Sequence, residues 1–504
     1  MRSTGRRPLV LAAVALVLVA GACTGDGGSE AAPPSTEATT TTTTTAPPPE
    51  PPDVEVEGPI AGTPQTSGAD GLAEVGYLEE EYFISGTATA YEPEGELADD
   101  GRWDLAEAEA APYATRILVK RPADPADASG VVVVEWNNVS IGSDGTPDWT
   151  FTRDEIVRAG HVHVAVSAQE AGVDRASGGI TGAGGNPLTQ ADPERYGGLD
   201  HPGDPWSYDI FGQVGQLVRT APEVSPDVLG GIDPEVVLAV GESQSAFRLT
   251  SYVNGVHPIE GAYDGFLVHS RGGGAAPFVD DAGLGSALAG QVAIRDDVDV
   301  PVLVFTTETD LTLLGYWRAR QPDSEHVRSW DVAGTAHADA FLLGGDAVGA
   351  GTALGCGAPV NDGPQHLALK AALARLVEWA RDGTPPPSGT PIEVDADGAI
   401  VRDADGNAEG GVRLPALEVP AATLSGEPVG DSVLCRLFGS TVPFPIEILV
   451  ERYGSREAYL ERVDEAIEAA VDAGFLLQAD SDAARAEAEE AWPGPTGGPD
   501  RRDG

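Results

Sequence analysis

The chain has 504 residues, and 80 acidic against 30 basic side chains give it a formal charge of −50 at pH 7. Nucleic acid repels such a polyanion at long range, so the charge excludes a nucleic-acid-binding protein. The hydrophobic fraction of 41% is sufficient for a packed core, and the length fits one large α/β domain with insertions.

Residues 1–22 have the features of a secretory signal peptide. Arg6 and Arg7 precede an apolar stretch, residues 8–20, that is too short to span a bilayer comfortably. Small residues lie directly before Cys23, as in a bacterial lipoprotein cleavage site, so we expect Cys23 to become the lipidated N-terminus. The alternative is ordinary signal-peptidase cleavage beside a stray cysteine.

Residues 23–54 are expected to form a disordered tether, because a threonine run flanked by prolines offers too little apolar surface to offset ordering entropy. The folded domain is expected to cover residues 55–480, followed by a flexible tail over 481–504. Together, the signal, lipid and tether predict a domain on the outer face of the cell membrane, attached only through the lipid anchor.

If Cys23 carries lipid, Cys356 and Cys435 are the two cysteines that remain. In an oxidising compartment they are expected to form one disulfide, and two buried free thiols are the alternative.

Strand and helix patterns alternate along the domain, which predicts a mainly parallel sheet flanked by helices, with an N-terminal β extension and C-terminal hairpin and helical additions. The predicted strands are residues 78–92, 115–121, 131–134, 161–167, 236–240, 265–269, 300–305 and 328–332. The predicted helices are residues 152–159, 207–219, 244–253, 362–382 and 455–472, with a β-hairpin over 391–414. Active groups in such sheets gather at the carboxyl ends of the strands.

The strand 236–240 ends at Gly241-Glu-Ser243-Gln-Ser245, and a helical pattern follows directly. A strand, a sharp turn and a helix hold a serine at the apex in a strained position that a base can reach. Ser245 stands where glycine is usual, and a close-packed turn can still accommodate it. The pattern predicts Ser243 as a nucleophile, against the alternative of a serine-rich turn.

A serine nucleophile needs a general base, and eight histidines compete for that role. His337 lies in a loop of small residues directly after the strand 328–332, and such a loop can return a histidine over the turn. We therefore predict His337 as the base, with His366 and His269 as alternatives.

The acid that orients the base is expected between serine and histidine in chain order. Asp310 and Glu308 both follow the strand 300–305. Asp310 has the more suitable spacing from the strand, and Glu308 is the alternative. Whichever is not catalytic is expected to cap the helix that begins near Leu311.

Backbone amides are expected to hold the oxyanion of an acyl-transfer intermediate. One is the amide of Gln244, directly after the nucleophile, and the other is that of Asn137 or Asn138, after the strand 131–134. Trp136 is expected either to wall the substrate pocket or to belong to the core.

No cofactor or metal is expected. The sequence has no His/Cys cluster with zinc spacing and no glycine pattern for a nucleotide. Residues 403–407 begin like a calcium loop, but Ala408 and Leu414 stand where glycine and glutamate are needed, so a tight turn is the better interpretation.

Taken together, five segments resemble the bacterial "alpha/beta hydrolase domain" proteins. They are residues 133–138, 241–246, 333–339, 361–366 and 438–444. The similarity covers about residues 55–480, and it implies an α/β-hydrolase fold and a serine–histidine–acid site without a settled substrate. Its fit over 361–366 leaves a substrate-pocket role open for His366.

The sequence thus predicts a serine hydrolase that cleaves a small-molecule carboxylic ester through an acyl-enzyme. An amidase or acyltransferase with the same residues, or a tethered binding protein without turnover, are the alternatives. The sequence predicts no oligomeric state.

Overall fold

The computed structural model describes residues 51–65, 70–175, 185–279, 290–427, 430 and 432–493. The predicted signal peptide and most of the predicted tether lie outside the described residues. Within the described ranges, none of the helices is long and apolar enough to cross a membrane.

The described part of the chain is built around one central sheet of nine strands. They are β1 Val54–Glu57, β2 Tyr77–Pro93, β3 Leu105–Pro122, β4 Val131–Trp136, β5 Val162–Val166, β6 Val236–Glu242, β7 Gly265–His269, β8 Val302–Thr307 and β9 Val327–Val332. Their order is β1-β2-β3-β5-β4-β6-β7-β8-β9. The pairs β1–β2, β2–β3 and β3–β5 are antiparallel, and the pairs from β5 onward are parallel. The expected mainly parallel sheet with an N-terminal β extension is confirmed.

The parallel strands are buried on both faces, as their β-branched runs predict. Successive residues of β6 alternate between two cores, with Val237 and Ala239 on one side and Leu238 and Val240 on the other. Each face needs its own apolar layer, and helices supply both layers.

The helices match the sequence pattern well where the pattern is long. Their bounds are α1 Pro147–Ala159, α2 Glu170–Val173, α3 Leu188–Ala191, α4 Pro193–Tyr196, α5 Ser207–Arg219, α6 Gln244–Ser251, α7 His257–Glu260, α8 Glu308–Thr312, α9 Ala347–Leu354, α10 Gln365–Asp382, α11 Pro415–Glu418, α12 Val433–Leu437, α13 Ile446–Tyr453, α14 Arg456–Asp472 and α15 Ser481–Ala491. A small antiparallel sheet pairs β10 Ala422–Ser425 with β11 Ser440–Pro443.

Residues 391–414 differ from the predicted β-hairpin. Isolated bridges, such as the one between Ile392 and Gly410, replace a continuous ladder. The chain folds into nested turns, one of them at Gly406 with a φ of 81°. Oδ1 of Asp403 accepts hydrogen bonds from two amides that follow it, which makes this segment the tight turn expected in place of a calcium loop.

The prediction of a flexible tail over 481–504 is wrong for its first part, which forms α15. Ala484 and Trp492 are buried, and the Trp492 ring lies 5.2 Å from that of Tyr459. Most side chains of this segment are acidic or small, but Ala484 and Trp492 form a short apolar stripe that packs on the core. Residues 494–504 lie outside the described residues.

The predicted disulfide between Cys356 and Cys435 is present. It joins the residues after α9 to α12. At the last residue of α12, the carbonyl of Leu437 accepts a hydrogen bond of 3.1 Å from the amide of Ala338. The disulfide therefore supports the loop that carries His337.

Candidate active site

Ser243 lies between β6 and α6 in a strained conformation, with φ 58° and ψ −116°. A Cβ atom placed on Gly241 would be only 3.3 Å from the backbone of Ser245, so the strand and the helix nearly touch. The Ser245 hydroxyl donates a 2.8 Å hydrogen bond to the carbonyl of Glu242, which is how serine fits at the usual glycine position. The strand–turn–helix predicted around Ser243 is present.

The structure brings together the three side chains that the sequence pointed to. Nε2 of His337 lies 2.7 Å from Oγ of Ser243, and Nδ1 lies 2.6 Å from Oδ1 of Asp310. All three residues are buried. With the proton on Nδ1, the imidazole donates to the carboxylate and can accept the serine proton at Nε2.

Asp310 uses its two carboxylate oxygens for different purposes. Oδ1 faces His337, whereas Oδ2 accepts hydrogen bonds of 2.7 and 2.8 Å from the amide and the hydroxyl of Thr307. Thr307 is the N-cap of α8, and Asp310 completes the capping box. Asp310 therefore both caps the helix and contacts His337. This arrangement fixes the carboxylate against the imidazole.

Glu308, the alternative acid, is engaged elsewhere. Its Oε1 accepts the amide proton of Gly334 at 2.7 Å, and its Oε2 pairs with Arg402 at 2.9 Å and accepts the amide proton of Gly426 at 3.0 Å. The expectation that the second acid caps a helix is therefore wrong. Glu308 instead joins the loop before His337 to the end of β10.

The two electrostatic influences on His337 oppose each other. Burial lowers its pKa, but the charge and hydrogen bond of Asp310, with a smaller contribution from Glu242, raise the pKa above its ordinary value of 6.5. The imidazole is therefore a stronger base than a histidine in solution.

Glu242, which was not among the predicted site residues, is a second carboxylate beside the imidazole. Its Oε1 lies 3.5 Å from Nε2 of His337, and burial raises the pKa of Glu242 to about 7. Its Oε2 accepts a 2.9 Å hydrogen bond from Nδ2 of Asn138. Its position directly before Ser243, at the carboxyl end of β6, is the sequence signal that could have indicated it.

The predicted oxyanion donors are partly wrong. The amide of Gln244 begins α6, has no acceptor among the described residues, and lies at the positive end of the helix dipole. The amides of Asn137 and Asn138, however, donate to the carbonyls of Val166 at 3.2 Å and Gly145 at 2.9 Å. Neither is free to bind an oxyanion.

The next amide of the same turn, that of Val139, has no acceptor within the described ranges. The Asn138 side chain has a different use, because its Nδ2 donates to the carbonyl of Glu242 at 3.0 Å. That contact ties this turn to the residue before the nucleophile.

The pocket roles considered for Trp136 and His366 are not supported. Trp136 is fully buried, and its ring centroid lies 4.6 Å from that of Phe211, so it belongs to the core. The His366 ring stacks on Phe341, and its Nε2 lies 2.9 Å from Glu487 of α15. His366 therefore contacts the C-terminal helix α15, which replaces the first part of the predicted flexible tail.

His269, the other alternative base, is occupied by a different acid. Its Nδ1 lies 2.8 Å from Oδ1 of Asp148, and its Nε2 lies 3.3 Å from the side-chain nitrogen of Gln365. Its carbonyl accepts the amide proton of Ser243 at 3.0 Å, so its backbone supports the turn. Across the described residues, no cluster of His, Cys, Asp and Glu side chains is arranged to hold a metal ion.

Comparison with known proteins identifies the family of this chain. Residues 44–486 match the model of the family described as "Alpha/beta hydrolase domain". The chain belongs to this family. It is therefore a hydrolase by family, and its strand order and turn at Ser243 are those of an α/β-hydrolase sheet.

Similar solved structures include esterases of the fungus Rhizomucor miehei, at 15% identity over 59% of this chain and 84% of the other, with a TM-score of 0.29. A lidless serine hydrolase of Xanthomonas campestris matches at 13% identity over 51% and 87%, with a TM-score of 0.27. A glucuronoyl esterase of Solibacter usitatus matches at 12% identity over 57% and 83%, with a TM-score of 0.28. No curated protein matches the hydrolase.

Proposed function

We propose that this hydrolase cleaves carboxylic esters through an acyl-enzyme formed on Ser243. The observation that carries the proposal is the unbroken contact chain from Oγ of Ser243 through both ring nitrogens of His337 to Asp310. A hydroxyl that donates to a carboxylate-oriented imidazole is the arrangement required for nucleophilic attack on an acyl group.

In the proposed reaction, Oγ of Ser243 attacks the ester carbonyl as its proton moves to Nε2 of His337. Asp310 stabilises the imidazolium, and the amide of Gln244, with Val139 as its candidate partner, binds the oxyanion. His337 then returns the proton to the leaving alcohol. Water enters, gives a proton to His337 and attacks the acyl carbonyl, and the acid leaves as Ser243 regains its proton.

A panel of p-nitrophenyl esters of increasing acyl length, with matched p-nitroanilides, tests this proposal. We expect turnover of esters by the wild type, and a loss on the order of 10⁴-fold to 10⁶-fold in Ser243→Ala. Ser270→Ala is the matched control, because Ser270 is the other non-glycine residue with positive φ in the described ranges and its hydroxyl has no hydrogen-bond partner among them.

Full ester turnover by a folded Ser243→Ala variant would refute the proposal. Cleavage of the anilides at rates equal to the esters would favour an amidase. A wild-type protein that neither turns over esters nor reacts with a fluorophosphonate would indicate the tethered binding protein instead.

We also propose that a lipid on Cys23 holds the hydrolase at the outer face of the cell membrane. The pattern of the first 54 residues supports this location, through the signal-like segment, the small residues before Cys23 and the tether. In Cys23→Ser the protein should leave the membrane fraction, whereas unchanged retention would contradict the anchor.

A further inference from the structure

Glu242 is the last residue of β6, and one donor, the side-chain amide of Asn138, holds both its carboxylate and its backbone carbonyl. Nδ2 of Asn138 donates both to Oε2 of Glu242 at 2.9 Å and to its carbonyl oxygen at 3.0 Å. The residue is 5% exposed, so neither the strand nor the side chain has room to swing away. A buried carboxylate held in this way has a defined place relative to its neighbours.

That place is beside the nitrogen that receives the serine proton. Oε1 of Glu242 lies 3.5 Å from Nε2 of His337, whereas Asp310 contacts Nδ1 at 2.6 Å. The imidazole thus has one carboxylate near each ring nitrogen. When the imidazole gains a proton, both carboxylates attract the positive charge, and burial strengthens that attraction relative to water.

We propose that Glu242 is a positioning residue that stabilises the protonated form of His337 from the Nε2 side. This inference rests on the proposed serine hydrolase function. Glu242 takes no proton from the substrate in this scheme. The proton moves from Oγ of Ser243 to Nε2, and the charge of Glu242 lowers the energy of the imidazolium that results.

The charged groups around Glu242 come from several elements. Burial has the largest influence and raises the pKa of Glu242 to about 7, while His337 and His269 lower it and Asp148 and Asp310 raise it further. Glu242 therefore becomes charged near neutral pH, and the pKa of its neighbour His337 is also displaced, upward from 6.5. The two groups should titrate as a coupled pair, and removing one should move the apparent pKa of the other.

The test measures the second-order rate of labelling by a fluorophosphonate between pH 5 and pH 9. This probe reacts with an activated serine whatever the natural ester is. Glu242→Gln removes the charge and keeps an oxygen that can accept from Asn138. The acid limb of the pH profile is the range in which the labelling rate falls as the pH drops. In Glu242→Gln this limb should lie about one pH unit below that of the wild type, and the labelling rate at high pH should be about tenfold lower.

Glu260→Gln is the matched control. Glu260 is also buried, its pKa is raised by burial to about 8, and it accepts hydrogen bonds from Tyr91 and Tyr252 rather than from the site around Ser243. Its replacement should leave the acid limb where it is in the wild type. Glu242→Asp, which keeps the charge on a shorter side chain, should have a limb between those of the wild type and Glu242→Gln.

A shift in Glu242→Gln without a shift in Glu260→Gln supports the proposal. A labelled Glu242→Gln variant whose limb coincides with that of the wild type overturns it. If Glu242→Gln does not fold, Glu242→Asp takes its place. An acid limb below that of the wild type then supports the proposal, and a limb that coincides with that of the wild type overturns it. A wild type that is not labelled at all overturns the proposed function, and the role of Glu242 with it.

Discussion

Replacing Asp310 by asparagine should abolish most activity through the imidazole tautomer. Thr307 directs its amide and hydroxyl protons at Oδ2 of Asp310, so the single oxygen of asparagine should occupy that position. The new NH₂ group then faces Nδ1 of His337, which must accept instead of donate. The proton is forced onto Nε2, and the imidazole can no longer take the proton of Ser243.

The expected loss is about 10⁴-fold in kcat, the effect of the same tautomer error in a serine protease, and it corresponds to about 5 kcal/mol in the barrier. The free energy of unfolding of Asp310→Asn should change less than that of Glu308→Gln, because the neutral amide keeps its hydrogen bonds to Thr307.

Glu308→Gln is the companion variant and should show the reverse pattern. The two carboxylate oxygens of Glu308 now accept hydrogen bonds from three donors, whereas glutamine has only one side-chain oxygen. Arg402 also loses its charge partner. Breaking such a pair should cost about 3 kcal/mol of unfolding free energy, while the folded variant keeps activity within about tenfold of the wild type.

Ester turnover and fluorophosphonate labelling at 25 °C, with thermal unfolding of each variant, measure both quantities. The reasoning fails if folded Glu308→Gln loses more activity than folded Asp310→Asn.

Three further predictions concern pH and stability. Since the pKa of His337 is raised, kcat/KM should fall as pH drops through a value above 6.5; a limb centred below pH 6 would contradict this. Burial raises the pKa of Glu260 from 4.5 to about 8, so its proton is held more tightly in the folded state and stability falls as pH rises through that window. Glu260→Gln should remove about 4 kcal/mol of this fall in urea unfolding between pH 5 and 9; an unchanged pH dependence would oppose it. Replacing Cys356 and Cys435 together by serine opens a link across 79 residues and should cost about 4 kcal/mol in the same assay, which an unaltered midpoint would disprove.

The sequence was most informative where a residue follows directly from a strand. Ser243, Asp310 and His337 each lie just past the carboxyl end of a parallel strand, and 94 residues separate the serine from the histidine. Strand patterns and chain order were sufficient to choose these three, because parallel strands bring their carboxyl ends to one edge of the sheet.

The sequence was least informative where a role depends on a distant partner. The amides of Asn137 and Asn138 cannot bind the oxyanion, because they donate to the carbonyls of Val166 and Gly145. Neither hydrogen bond can be predicted from the local sequence. Glu242 lies beside the imidazole only because the loop that carries His337 is folded over the end of β6.

The C-terminal helix shows the same limit on prediction. Residues 481–504 were predicted as a flexible tail, but the packing of Trp492 against Tyr459 makes the end of this helix part of the core. Composition describes the exposed face of such a helix, whereas the buried stripe depends on the surface it meets.

The most direct measurement is the site of covalent labelling. After treatment with a fluorophosphonate, intact-mass and peptide analysis should find one adduct per chain, on Oγ of Ser243, and none in Ser243→Ala. An adduct on another residue, or equal labelling of the Ser243→Ala protein, would contradict the account.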